Sequence, residues 1–173
     1  MDLDPADTLD DHEWERKFLV GDSTILRGLE GYHIEQGYLW SSGGFSLRIR
    51  RTLPLGSALA PHEVPYRLTL KGPRVGNGLG RLEIESQVPN EYGHVLLAEA
   101  QLTLRKRRYP YISEGETWDI DVFEDGLEGL IIAEIEGSRE RVALARMPWW
   151  ASLEVTSDER YSNESLAAHG RPE

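Results

Sequence analysis

The sequence predicts an α+β protein in which eight antiparallel strands close into a barrel and helices pack on its outside. Three observations carry that expectation. Eight stretches alternate side-chain character with period two, the repeat of a strand. On strand after strand one face is almost entirely Arg, Lys, Glu and Asp in a charged-x-charged unit, while the other is aromatic and aliphatic. Eight strands are also enough to close a barrel and remove its edges.

The first strand is His12–Val20. Glu13, Glu15, Lys17 and Leu19 fall on one face, and Trp14, Arg16, Phe18 and Val20 on the other. A helix would scatter these residues around its axis. Ser23–Gly31 holds a short helical turn. Ile34–Trp40 is the second strand, ended by Ser41-Ser42-Gly43-Gly44. Phe45–Leu53 is the third, with Leu47 and Ile49 against Arg48 and Arg50. Pro54–Pro65 is a loop rich in Pro, Gly and Ser. Tyr66–Gly72 is the fourth strand and Arg81–Val88 the fifth, with a glycine-rich turn, Pro73–Gly80, between them. Pro89-Asn90 opens a helix over Glu91–Gln101. Thr103–Ser113, Thr117–Phe123 and Leu130–Glu136 are strands six to eight. Ser138–Ala145 is a helix with Ser138 as its N-cap. Met147–Trp150 forms an apolar corner, and Ser162 or Asn163 caps a short C-terminal helix. The division is a lead over 1–11, one domain over 12–168 and a tail over 169–173.

With 173 residues, 39% hydrophobic and 28% charged, the chain is long enough for one sizeable core. It has no cysteine, which excludes disulfides and thiolate metal sites and fits a reducing compartment. No window approaches the ~18 apolar residues of a membrane span. The acidic N-terminus has neither a basic leader nor an apolar run, so a cytoplasmic protein is expected. A net charge of −11 disfavours nucleic acid as a partner, yet a basic cavity can sit within an acidic shell.

The ionic faces carry eight acids (Glu13, Glu15, Glu83, Glu85, Asp119, Asp121, Glu134, Glu136) and eight bases (Lys17, Arg48, Arg50, Arg67, Lys71, Arg81, Lys106, Arg108). Taken one strand at a time, these are the wet faces of an ordinary antiparallel sheet. Taken together, with the charged face inside a barrel, they line a hydrated tunnel suited to a multiply charged anion and a divalent metal. Arg matches phosphate oxygens with a planar fork, and Lys adds a compact charge. Carboxylates without imidazole or thiolate favour Mg²⁺ or Mn²⁺.

Glu13-x-Glu15-x-Lys17 resembles the N-terminal signature of the CYTH superfamily, the triphosphate tunnel metalloenzymes. Further segments match in family order: Gln36-Gly37-Tyr38-Leu39, Arg48-Ile49-Arg50, Leu68-Thr69-Leu70-Lys71, Glu83-Ile84-Glu85, Lys106-Arg107-Arg108-Tyr109, Asp119-Ile120-Asp121-Val122-Phe123, Glu134-Ile135-Glu136, and Glu154-Val155-Thr156 with Arg160-Tyr161-x-Asn163. The resemblance spans about residues 12–168. It implies an eight-stranded antiparallel tunnel, a Mg²⁺ or Mn²⁺ cofactor, a small-molecule triphosphate substrate and a homodimer. Carried over by position, Glu13, Glu15, Glu83, Glu85, Asp121, Glu134 and Glu136 are the metal-side carboxylates. Lys17, Arg48, Arg50, Lys71, Arg81, Lys106 and Arg108 are the phosphate-binding cations, with Glu13, Glu15 and Lys17 as the catalytic set. The short chain looks most like the small bacterial members, which implies hydrolysis of inorganic tripolyphosphate to orthophosphate and pyrophosphate. The alternatives are a lyase making cyclic AMP and pyrophosphate from ATP, and a non-catalytic polyphosphate or nucleotide binder.

Overall fold

The computed structural model describes residues 12–60, 63–76 and 78–173. The lead expected over 1–11 lies outside these residues. The strands are β1 (His12–Val20), β2 (Tyr32–Ser42), β3 (Phe45–Pro54), β4 (Tyr66–Val75), β5 (Gly80–Val88), β6 (Leu102–Ser113), β7 (Glu116–Phe123), β8 (Ile131–Gly137) and β9 (Ala151–Glu154). The helices are α1 (Asn90–Glu99), α2 (Arg139–Leu144) and α3 (Asn163–His169), the last ending one residue past the expected domain boundary.

All strand pairs are antiparallel, in the order β5-β4-β3-β2-β6-β7-β8-β1. The ends meet where His12, Glu13 and Trp14 of β1 pair with Leu82, Arg81 and Gly80 of β5, so eight strands form a closed barrel. Glycine makes that seam. The Trp14 ring lies over the β4–β5 turn, where a Cβ on Gly76 (φ +58°) would come within 2.7 Å of the indole. The ninth strand was not expected from the sequence. It adds to the outside of β1, pairing Phe18 with Glu154 and Leu19 with Leu153. Arg16, on the outer face of β1, fastens it. Its guanidinium donates to both Glu154 carboxylate oxygens at 2.8 and 2.7 Å, and to the Ala145 carbonyl just beyond α2.

Two apolar clusters lie outside the barrel. One joins Phe18, Trp118, Ile120, Ala133 and Ile135 to Trp150 and Ala151. The other seats α1 through Leu97 on Ile49 and Tyr66. Ser138 caps α2 by accepting from Arg141 N at 3.3 Å, as expected, and Ser162 caps α3 by accepting from Ser165 N at 3.1 Å. A third cluster departs from an all-ionic bore. Leu104, Phe123 and Ile132, with Leu19 packed against them, share the inward alternation of Lys106, Asp121, Glu134 and Lys17. Leu166 of α3 joins them, so one end of the barrel interior is dry and stoppered.

Helix α1 approaches the sheet closely because Gly93 has no side chain. A Cβ there would lie 2.5 Å from Tyr66 Cβ and nearer still to its ring. Tyr66 is only 2% exposed, so it has little room to retreat. Alanine improves helix propensity by ~1 kcal/mol, whereas forcing a group into a filled core costs ~1–3 kcal/mol. The clash wins. Gly93→Ala should lower the melting temperature by a few degrees in calorimetry; an unchanged or raised value would contradict this packing.

Candidate active site

The ionic faces converge on one cavity of about 570 Å³. Every sequence-predicted site residue except Arg81 and Asp121 lines it, joined by Arg67, Asp119, His12 and Asn163. Strand order sorts the charge by sign. Six of the seven lining cations come from the contiguous β4, β3 and β6, with neutral β2 among them. The seven acids come from the contiguous β7, β8, β1 and β5, where Lys17 of β1 is the one cation of the lining. A cationic half-cylinder thus faces an acidic one across the bore.

The centre of the acidic half is the β8–β1 seam. Its register sets Glu15 opposite Glu136 and Lys17 opposite Glu134. One carboxylate oxygen from each of Glu15, Glu134 and Glu136 lies within 4.8 Å of the others. Lys17 sits among them, 2.5 Å from Glu134 and 3.2 Å from Glu15. Burial alone would raise the Glu15 and Glu134 pKa values, but the surrounding cations together outweigh it, Lys17 with Lys71 and Arg74 at Glu15 and Lys17 with Lys106 and Arg108 at Glu134, and hold both carboxyls below their usual range. Glu13 has weaker compensation. Burial, a hydrogen bond with Glu83 and the charge of Glu136 push it up to about 9. Burial also opposes charge on Glu83, yet the Glu13 hydrogen bond and Lys71, at 2.5 Å, bring it down to about 2. A proton shared by crowded carboxyl groups marks a place where positive charge is wanted. The donor set is all oxygen, the chemistry of Mg²⁺ or Mn²⁺, and the Glu15–Glu134–Glu136 spacing can close around one ion.

The cations differ in how far their neighbours occupy them. Arg108 is fully engaged: it meets Asp121 at 2.7 Å, Asp119 at 2.7 Å and Glu134 at 2.6 Å. Among the described residues Arg50 has one acidic partner, Glu85 at 3.7 Å, and Arg48 lies 3.5 Å from Glu83. Among the described residues, Arg48 Nε is buried with no hydrogen-bond partner. Free donors on a buried arginine lining a cavity suit an incoming anion.

Asp121 departs from the cavity-facing carboxylate the sequence suggested. It is 0% exposed, lies behind the lining, and has its oxygens taken by Lys106 and Arg108. Burial pushes Lys106 down to about 8 even against this attraction. Arg81 lines a separate chamber of about 30 Å³ at the rear, with Lys17, Arg48, Lys71 and Arg74. Sequence reasoning passed over Arg74, assigning it to a turn. It belongs to β4, where two residues, Gly72 and Pro73, oppose the single Leu82 between the pairs Lys71↔Glu83 and Arg74↔Arg81. This bulge turns Arg74 inward, and Gly-Pro within a strand was its available signal.

Similarity to known proteins follows the same lines. A protein named inorganic triphosphatase from Acetivibrio thermocellus is 36% identical over 157 residues, covering 89% of this chain and 92% of that protein. One of the same name from Nitrosomonas europaea is 33% identical over 160 residues, covering 90% and 96%. The solved structure of the inorganic triphosphatase NE1496 superposes with a TM-score of 0.60 at 29% identity, covering 90% of this chain and 93% of that one. A putative adenylate cyclase from Vibrio parahaemolyticus, 16% identical with a TM-score of 0.52, covers 80% and 83% and shares the fold. No family model matches the chain.

Proposed function

Because the chain belongs to the triphosphate tunnel metalloenzymes, alongside the inorganic triphosphatases it resembles, we propose that it hydrolyses inorganic tripolyphosphate to orthophosphate and pyrophosphate. The observation that carries this reading is the division of the cavity into facing cationic and acidic halves. A polyanion lies along the first and its counter-cations along the second. Glu15, Glu134 and Glu136 would hold Mg²⁺ or Mn²⁺, with Glu13 and Glu83 beside them. A bound divalent ion lowers the pKa of a coordinated water and neutralises phosphate charge.

The chain's own groups position the substrate. Arg48, Arg50 and Lys71 bind phosphate oxygens, and Lys17 keeps Glu15 and Glu134 ionised and aligned. Asp121 holds Lys106 and Arg108 at the boundary between the two halves. Water attacks the terminal phosphorus, the bond to the bridging oxygen breaks, and pyrophosphate leaves. Phosphoryl transfer asks a protein mainly for such positioning and charge stabilisation. We extend the reading to a cytoplasmic enzyme that pairs as a homodimer and uses neither nucleic acid nor membrane. Among the described residues no helix is long and apolar enough to cross a membrane.

Phosphorus NMR tests the reaction. Tripolyphosphate with enzyme and Mg²⁺ should yield orthophosphate and pyrophosphate in equal amounts, and chelation should stop it. An inert tripolyphosphate, with ATP converted to cyclic AMP, would replace this reading by a lyase. Within the site, Arg50→Ala should raise KM with a smaller change in kcat. A charge-assisted hydrogen bond is worth ~1.5–3 kcal/mol, so the rise should be roughly 10- to 150-fold. A wild-type KM in initial-rate kinetics would remove Arg50 from the substrate.

A further inference from the structure

The charge balance changes along the bore. The main cavity is lined by seven acids and seven Lys or Arg residues. The rear chamber has five cations against two acids, Glu15 and Glu164. Arg74 and Arg81 appear in the second lining and not in the first. They are direct partners across β4 and β5. Like charges set opposite each other on neighbouring strands repel, so an anion between them relieves a standing cost. Arg74 is also loosely held by its acids, Glu15 at 3.4 Å and Glu159 at 3.5 Å; among the described residues its close contact is the Gly78 carbonyl at 2.8 Å. Arg81 donates to the carbonyls of Gly72 and Gly44.

The chamber is also short. Its 30 Å³ is room for about two waters, and Ser162, Asn163 and Glu164 at the start of α3 line it. Beyond it lies an outer vestibule of about 350 Å³ that shares Arg74, Arg81 and Glu164. Beside the first residues of α3, and apart from the apolar end that Leu166 closes, the space between the main cavity and this vestibule is therefore a constriction built around two arginines.

We propose that Arg74 and Arg81 form the end stop of the site: they receive the terminal phosphoryl group of a triphosphate that spans the main cavity, and they exclude longer polyphosphates. Arg74 is then a specificity-determining residue. This inference rests on the triphosphatase reading. Removing Arg74 weakens the hold on the triphosphate end and widens the constriction at once, so a triphosphate loses and a longer chain gains. A residue that served only to place Glu15 would affect both substrates alike.

The test compares kcat/KM for tripolyphosphate and tetrapolyphosphate, with Mg²⁺, in wild type, Arg74→Ala and Arg74→Gln. The wild type should prefer tripolyphosphate. Arg74→Ala should raise the tripolyphosphate KM about tenfold, the loss of one charge-assisted contact, and lower the preference by at least that factor. Arg74→Gln keeps the polar stem, carries the same expectation, and serves if the alanine variant does not fold. A preference ratio unchanged in a folded variant overturns the end stop, including the case where both substrates slow equally. A wild type inert toward tripolyphosphate instead removes the reading beneath it.

Discussion

Glu15→Gln should abolish metal-dependent turnover while leaving the barrel folded. Glu15 lies on the β8–β1 seam, and its carboxylate oxygens stand between Lys17 and Arg74 and within reach of Glu134 and Glu136. The amide is nearly isosteric, but it offers a divalent ion a neutral ligand in place of an anion. Even partners one shell out from a metal ligand change affinity or activity by ~10–100-fold, so a direct ligand should lower turnover by at least about 100-fold. Lys17 keeps Glu134 at 2.5 Å, so the fold does not lose its buried counter-charge. The measurement is orthophosphate release against Mn²⁺ concentration, alongside circular dichroism. Wild-type turnover in the variant would take Glu15 out of the metal site.

Asp121→Ala should show its largest effect on stability. Asp121 is 0% exposed and is the shared partner of Lys106 and Arg108. Removing one member of a buried charge cluster typically costs ~3–5 kcal/mol, because the remaining charge is left without compensation. For a chain of this size each kcal/mol lowers the melting temperature by ~2–4 °C, so the fall should be on the order of 10 °C. Arg108 still reaches Asp119 and Glu134, whereas Lys106 keeps Asn163 at 3.2 Å as its remaining hydrogen-bond partner. Lys106, already depressed to about 8 by burial, should then give up its proton near neutral pH. Calorimetry and Mn²⁺ titration separate the roles. A large thermal loss with Mn²⁺ affinity retained assigns Asp121 to support of the cations; a lost Mn²⁺ affinity at unchanged stability would return it to the metal.

These two residues mark what the alternation pattern can and cannot convey. Period two reveals which side chains share a face, and Glu13-x-Glu15-x-Lys17 on β1 was legible in full, down to the strand ends. It carries no depth. Asp119 and Asp121 alternate alike, yet Asp119 lines the cavity and Asp121 lies behind it. Nor does it say which carboxylates meet. Glu15, Glu134 and Glu136 converge because the β8–β1 register places them so, and pairing across 117 or more residues leaves no local trace. Arg74 was hidden by the bulge at Gly72-Pro73, which shifts the alternation by one residue. The short β9 was hidden for another reason: its four residues carry one charge, Glu154, and so no charged-x-charged unit, and their strand character comes from docking on β1. The dry end of the bore escaped because Leu104, Phe123 and Ile132 sit one step along from the charges and read as ordinary strand hydrophobics.

The central claim is that metal and triphosphate meet inside the barrel, between walls of opposite sign. Crystals grown with Mn²⁺ and a non-hydrolysable imidotriphosphate test it most directly through the anomalous signal of the metal. The account predicts a manganese peak bounded by the carboxylates of Glu15, Glu134 and Glu136, with phosphate density running along Arg48, Arg50 and Lys71. Manganese on surface carboxylates, with the analogue outside the bore, would contradict it.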